Sequence, residues 1–358
     1  MMSTDHRSIC ILGGGNFGTT LANLISLNGY QVQFWLRDPE QVRHLNQKHR
    51  NFKYMAEIKL HPGIQATTDL QQAIGCAQLL LFALPSKAFV PVFQQAIAHI
   101  TRKHFIVSTT KGIYAEGFKL TSEIMQDTLA AHQLADTAVG VLSGPNLAKE
   151  IIARQPTATV IASPSSALQQ RVKQVLTNDY FRVYLNHDMK GVELGGALKN
   201  CYAVAAGIID ALGMGDNTKS MLLTRALAEM NRFAVHFGAS PLTFLGLTGM
   251  GDLIVTCLSP LSRNYQVGHQ IGSGKNLDYA LDHLNGVSEG IKSIALVHQK
   301  AHELDIAMPL LNAIYNIIYN QQSAKTTLMQ GLTHHQNDRD VEFDFTVYPT
   351  SHQALHRT

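Results

Sequence analysis

The stretch Ile9-Cys10-Ile11-Leu12-Gly13-Gly14-Gly15-Asn16-Phe17-Gly18 decides the fold. An apolar run of strand length breaks into a glycine turn and passes into a helical pattern, which reads as strand, loop, helix. Gly13, Gly15 and Gly18 meet the G-x-G-x-x-G spacing. In a dinucleotide site the first glycine allows the tight turn out of the strand. The second lets the backbone approach a pyrophosphate, and the third lets the helix pack on the strand. Backbone N–H groups at the start of the helix, around Asn16, Phe17 and Gly18, would then face the phosphates. The spacing alone is a weak signal, because a plain strand-to-helix turn carries the same glycines.

The flanking residues strengthen it. Leu21, Leu24, Ile25 and Asn28 recur at helical spacing over residues 19–28, Gly29 stops the helix, and Val32-Gln33-Phe34-Trp35-Leu36 supplies a second strand. Where an acidic residue would bind the ribose 2′-hydroxyl of NAD, the chain has Arg37 followed by Asp38. Arginine there stacks on adenine and pairs with a 2′-phosphate, which favours NADP, while Asp38 keeps NAD open. A solvated loop arginine is the alternative reading.

Length and composition bound the rest. With 358 residues and 45% hydrophobic content, two domains are expected. A formal charge of +3 and no basic run of five or more give no reason to expect a nucleic-acid partner. The four cysteines, Cys10, Cys76, Cys201 and Cys257, form no C-x-x-C and read as buried small hydrophobes. The 17 histidines are scattered along the chain, and no metal is expected. The polar start at residues 1–8 leaves no room for a signal peptide, and no apolar run reaches membrane-spanning length. The expectation is a reduced, soluble, cytoplasmic protein without membrane insertion.

Along the chain, residues 39–51 read as a helix and loop, and 78–84 as a strand ending at Pro85-Ser86. Residues 88–100 read as a helix and 104–109 as a strand. Residues 139–142 read as a strand ending at Ser143-Gly144-Pro145-Asn146, and 157–162 as a further β-rich run. Strands alternating with helices imply a mostly parallel, doubly wound sheet, on which ligands bind beyond the carboxyl ends of the strands. Pro85-Ser86, Lys111-Gly112 and Gly144-Pro145-Asn146 are therefore where chemistry is sought. From residue 189 the pattern turns helical, over 189–212, 218–237, 277–283, 288–304 and 309–321. The expected boundaries are 1–188 for the nucleotide domain, 189–331 for a helical domain and 332–358 for a polar extension containing His334-His335, Asp338, Arg339 and Asp340. In the first helix of the second domain, Lys199 and Asn200 sit in an Ala, Gly and Leu background. A buried lysine must be paired, neutralised or functional, unless its head snorkels to water.

The blocks GGGNFGTTLA, STTKGI, SGPN, GVELGGALKN, GDNTKSMLLTRALAEM, GLTGMGDLIVTC, SRNYQVG and VSEG together resemble the bacterial NAD(P)-dependent glycerol-3-phosphate dehydrogenases over roughly residues 8–330. The resemblance implies an α/β N-terminal Rossmann-type doubly wound sheet followed by an all-α C-terminal domain, with the catalytic site between the domains. It implies an NAD(P)-dependent oxidoreductase acting on CH–OH, which reduces dihydroxyacetone phosphate to sn-glycerol 3-phosphate for glycerophospholipid biosynthesis. Lys199 would be the general acid, and the base in reverse. Its ordinary pKa is too high for exchange near neutrality, so its apolar helix and Lys111 are expected to lower it.

Substrate would also meet Lys111, Gly144, Asn146, Asn200, Asp252 and Thr256, with Ser262, Arg263 and Asn264 clamping its phosphate. The cofactor would be held by Gly13, Gly15, Asn16, Phe17, Gly18, Arg37, Lys111, Ala148, Arg263, Val287 and Glu289. Two carboxylates keep a second reading: Asp252 could cap a helix beginning near Leu253, and Glu289 could favour a helix N-terminus. Three features depart from the family. Tyr54-Met55-Ala56 lacks the usual proline, Ala226 follows Arg225 where glycine is usual, and the extension after residue 331 has no counterpart. NADP is the preferred cofactor with NAD the alternative, and a homodimer through the glycine-rich helices is expected. A β-hydroxyacid or 6-phosphogluconate type dehydrogenase and a non-catalytic nucleotide sensor are the competing readings.

Overall fold

The computed structural model describes residues 7–284 and 288–333. Two units are resolved, Met1–Gly196 and Ala197–Thr358. In the first, the elements run β1 (Ser8–Leu12), α1 (Asn16–Leu27), β2 (Gln31–Trp35), α2 (Pro39–Lys48), β3 (Ile64–Thr67), α3 (Leu70–Gly75), β4 (Leu79–Phe82), α4 (Ser86–Ala96) and β5 (Phe105–Ser108). They continue with β6 (Ile113–Tyr114), β7 (Lys119–Leu120), α5 (Thr121–Ala131), β8 (Ala138–Ser143), α6 (Ala148–Ile152), β9 (Thr157–Ala162), α7 (Ser166–Leu176) and β10 (Phe181–Asn186). Helix α8 (Met189–Ala211) follows and carries the chain into the second unit.

Among the described residues, eight strands form one sheet in the order β10-β9-β8-β5-β4-β1-β2-β3, while β6 and β7 pair antiparallel in a separate two-stranded sheet. Within the eight-stranded sheet every pairing is parallel except β8 with β9, so the mostly parallel doubly wound sheet expected from the alternation is the one observed. Strands covered on both faces need apolar residues throughout rather than alternately, and all five residues of β1 are buried. Ile9, Ile11, Leu21, Leu24, Ile25, Val32, Phe34, Leu79 and Leu81 share one core, each large apolar side chain contributing about 1.5–3 kcal/mol. Chain order reverses beside β1, with β2 on one side and β4 on the other, which is where such a sheet opens its ligand crevice.

Two edges extend beyond the strands read from sequence. β3 and β10 close the sheet at its ends, and β10 alternates buried Phe181 and Val183 with exposed Arg182 and Tyr184, as a one-faced edge does. The missing proline after Tyr54 also has a structural counterpart. Met55 adopts φ +58°, whereas a residue preceding proline is pushed to the extended region, so Ala56 permits a loop shape that proline would oppose.

The second unit is helical throughout its described residues: α9 (Asp216–His236), α10 (Pro241–Phe244), a π turn (Leu247–Gly251), α11 (Asp252–Leu258), α12 (Arg263–Gly272), α13 (Leu277–Asp282), α14 (Glu289–Glu303), α15 (Pro309–Tyr319) and α16 (Ala324–Thr333). Helices α8 and α12 cross backbone to backbone. A Cβ on Gly207 would overlap the carbonyl oxygen of Tyr265, and one on Gly268 that of Val204. These two glycines are spent inside the unit, not on a partner. Ala226 is fully buried in α9. Of the cysteines, Cys10, Cys201 and Cys257 are buried as expected, while Cys76 is only half-buried. No described helix is long and apolar enough to cross a membrane. The polar cluster from His334 to Asp340 lies outside the described residues.

Candidate active site

In the first unit, four loops follow adjacent parallel strands in the order β8, β5, β4, β1. The glycine turn after β1 has Gly13 at φ +119° with its N–H donated to the Trp35 carbonyl (3.0 Å). A Cβ on Gly18 would overlap the Gly13 carbonyl, so helix and turn touch directly, while a Cβ on Gly15 would meet nothing within 4 Å. Close packing at the first and third glycines with open space at the second is what a pyrophosphate needs. Helix α1 begins at Asn16 and Phe17 with no side-chain cap and no acidic residue in its first turn, leaving its positive end to a ligand.

The turn is braced by Gln41 on α2 and by Asn51 just after it, neither of which belongs to the glycine motif. Fully buried Asn51 donates to the Gly14 carbonyl (3.0 Å) and to Thr19 Oγ1 (2.8 Å). Gln41 Nε2 donates to the same Gly14 carbonyl (3.0 Å) and to Asn51 Oδ1 (2.7 Å). The signal was available: polar side chains close in sequence to a glycine loop must satisfy its buried carbonyls. Arg37 is exposed, and Asp38 is the N-cap of α2, its Oδ1 accepting from Glu40 N (2.9 Å) ahead of Pro39 at the first helical position.

After β5, Lys111 Nζ donates to the Gly144 carbonyl after β8 (3.2 Å), joining two loops named from sequence. Asn146 Nδ2 donates to Thr159 Oγ1 (2.9 Å), while its Oδ1 is buried without a hydrogen-bond partner, as is Ser143 Oγ. Two orphaned polar atoms beside a half-buried lysine fit a polar ligand there. Ala148 starts α6, its carbonyl accepting from Thr20 Oγ1 (3.4 Å).

In the second unit, Lys199 is buried on α8, with its Nζ paired with Asp252 Oδ1 and donating to Thr256 Oγ1 (2.6 Å). A buried ammonium requires a counter-charge, and the snorkelling alternative does not occur. Asp252 and Thr256 stand four residues apart on α11, one face of one helix. The π turn runs straight into α11, so Asp252 lies inside a helical run rather than at its cap, and its carboxylate is spent on Lys199.

Asn200 follows on α8. Its Oδ1 accepts from Asn264 Nδ2 (2.8 Å), and Asn264 Oδ1 accepts from Ser288 Oγ (2.7 Å) and Gly290 N (3.1 Å). The Asn264 side chain therefore ties α8, α12 and the start of α14 together. Ser262 caps α12, its hydroxyl accepting from Tyr265 N (3.4 Å), which leaves Arg263 exposed at the first helical position. Glu289 opens α14, and Val287 lies outside the described residues. Among the described residues no His, Cys, Asp and Glu group could hold a metal.

Two family models match the chain. The NAD-dependent glycerol-3-phosphate dehydrogenase N-terminus matches residues 8–169, and the C-terminus of the same family matches 188–329. A glycerol-3-phosphate dehydrogenase [NAD(P)+] from Alcanivorax borkumensis is 49% identical, over 97% of this chain and 99% of the relative. One of the same name from Azotobacter vinelandii is 48% identical, over 94% and 97%. The 2.1 Å crystal structure of glycerol-3-phosphate dehydrogenase from Coxiella burnetii superimposes with TM-score 0.85 at 33% identity, covering 92% of this chain and 99% of that one. A ketopantoate reductase from Ralstonia eutropha, 15% identical with TM-score 0.52, shares the fold alone. With near-complete coverage at such identity, and with both family halves matched in order, this chain belongs to the NAD-dependent glycerol-3-phosphate dehydrogenase family.

Proposed function

We propose that this chain reduces dihydroxyacetone phosphate to sn-glycerol 3-phosphate with NAD(P)H, and that Lys199 supplies the proton. The observation that carries the reading is a buried ammonium, paired with Asp252 and Thr256, in a chain of this family. Ketone reduction needs hydride on the carbonyl carbon and a proton on its oxygen. The cofactor, when bound, supplies the hydride. Lys199 gives its proton to the oxygen as that oxygen becomes an alkoxide, and takes it back in reverse. Asp252 compensates the buried charge, and Thr256 Oγ1 accepts from Nζ, so the ammonium is held in one direction. Lys111 stabilises the charge developing on the substrate oxygen.

The pyrophosphate belongs on Gly13, Gly15 and the uncapped start of α1 at Asn16, Phe17 and Gly18, with Arg37 toward the adenosine end and Lys111, Ala148, Arg263, Val287 and Glu289 completing the cofactor set. Gly144 and Asn146 serve the substrate, and the Asn146 Oδ1 orphan finds its partner there. Arg263 offers a planar fork for the substrate phosphate, with Ser262 setting the helix start that bears it. Asn200 binds the substrate and Asn264 fixes its amide. The product is the backbone of glycerophospholipids, and we assign the reaction to their synthesis in the cytoplasm. The homodimer reading rests on an exposed apolar row in the second unit, Met250, Ile254, Leu258 and Leu261.

NADPH oxidation followed at 340 nm, with dihydroxyacetone phosphate, unphosphorylated dihydroxyacetone and a small 3-oxo acid compared, tests this. Turnover with the phosphorylated ketone, and at least about 10³-fold less kcat/KM without the phosphate, is expected when a charged anchor is lost. Activity on the oxo acid alone would move the chain to the hydroxyacid dehydrogenases.

A further inference from the structure

The loop after α2 carries a cation that neither the motif nor the resemblance named. Lys53 Nζ is ion-paired with Asp38 Oδ2 and lies 5.7 Å from the centre of the Phe52 ring. Two residues earlier, Asn51 is locked onto Gly14 of the glycine turn and Thr19 of α1, so Lys53 is held at the rim of the dinucleotide cradle and not on a free loop. Arg37, immediately before Asp38, makes no hydrogen bond or ion pair among the described residues.

Asp38 is the residue that kept NAD open in the sequence, because a carboxylate there binds a ribose 2′-hydroxyl and repels a 2′-phosphate. Both of its oxygens are already engaged: Oδ1 accepts from Glu40 N and Oδ2 pairs with Lys53. Lys53 holds the Asp38 carboxyl below the usual carboxylate range, so it stays charged and needs its counter-ion. Arg37, Asp38 and Lys53 together carry a net positive charge of one; without Lys53 the pair Arg37 and Asp38 carries none.

We propose that Lys53 is a specificity-determining residue for the cofactor: it neutralises Asp38 and adds a second cation to Arg37 for the 2′-phosphate of NADPH. The proposal rests on the NAD(P)H reading above. An exposed ion pair contributes little to folding, so a role in stability alone would leave cofactor choice untouched.

The test measures dissociation constants for NADPH and NADH by nucleotide fluorescence, in wild type, Lys53→Met and Lys53→Met/Asp38→Asn, at low and at 0.5 M salt. Methionine keeps the stem against Phe52 and removes the charge. At low salt the ratio Kd(NADPH)/Kd(NADH) should rise about 30-fold in Lys53→Met, as loss of one charge-assisted contact plus exposed repulsion implies. The double variant, which also removes the carboxylate charge, should recover part of that rise, and high salt should shrink it. A ratio that stays at its wild-type value, whether both affinities fall or neither does, overturns the proposal. Wild-type protein that binds neither nucleotide overturns the function itself, and the proposal with it.

Discussion

Replacing Lys199 with Met is expected to lower kcat by about 10³-fold while the dissociation constant for NADPH stays within about threefold. The loss follows from the chemistry: an alkoxide forming without a proton donor must be protonated by water, which lies far from matched in acidity. Because Met also leaves Asp252 buried without its counter-charge, some stability is lost, on the order of 3 kcal/mol. Lys199→Arg separates the two effects. Arginine keeps a positive charge beside Asp252, yet it does not release its proton in proteins. A folded Lys199→Arg that is as inactive as the Met variant assigns the defect to the missing proton. Turnover at more than a few per cent of wild type in either variant would remove Lys199 from its role. Stopped-flow NADPH oxidation reads the rate, and nucleotide fluorescence reads the binding.

The second large effect is on stability and falls on a residue with no part in the reaction. Glu229 is buried on α9 and accepts three hydrogen bonds: from Leu310 N (2.6 Å) and Leu311 N (3.0 Å) at the start of α15, and from Tyr202 hydroxyl (2.9 Å) on α8. It therefore caps one helix from another and pins both to a third. Glu229→Ala leaves three buried donors unsatisfied and should cost about 3 kcal/mol or more, seen as a fall of about 1 M in the urea midpoint. Burial raises the Glu229 carboxyl from 4.5 to about 7, against the pull of its donors.

The sign of the pH dependence follows. The folded state holds a proton that the unfolded state has released above pH 4.5, so this contribution is full below that value and is lost as pH rises through about 7. Wild-type stability should fall between pH 5 and pH 8, and Glu229→Gln should flatten part of that slope. Glu193 adds to the same slope, since burial also takes its carboxyl from 4.5 to about 7 where it accepts from Ser122 N (3.0 Å) and Ser122 hydroxyl. A urea midpoint independent of pH in this window would show that both carboxylates are ionised throughout.

The nucleotide half was legible because its signals are local. β1, the glycine turn and α1 occupy one continuous stretch, and each glycine has a steric reason visible at its own position. The helical half was legible where helices are long. From Pro241 to Gly272 the chain breaks into short helices around a π turn, and no 3.6-residue period survives such segments. There the resemblance alone supplied residues, and the helix crossing at Gly207 and Gly268 explains how α12 reaches α8.

The partners of Lys199 lie 53 and 57 residues along the chain, a contact that periodicity cannot see. The spacing of Asp252 and Thr256 does place them on one helical face, and that much was readable. Glu193 and Glu229 were missed although the rule applied to Lys199 covers them equally: a charged residue in an apolar helical background must have a partner. Lys53 was missed because an exposed lysine in a polar loop looks like any other until Asn51 is seen to fix the loop.

In the proposed reaction hydride passes from the nicotinamide to the ketone carbon of a phosphorylated triose while Lys199 supplies the proton. NADPH deuterated at the transferable position of the nicotinamide, incubated with dihydroxyacetone phosphate and the full-length protein, tests the first half most directly by mass spectrometry and NMR of the product. One deuterium is expected on carbon 2 of sn-glycerol 3-phosphate for each cofactor oxidised. Cofactor oxidation that leaves carbon 2 unlabelled, or no glycerol phosphate at all from well-folded protein, would contradict it.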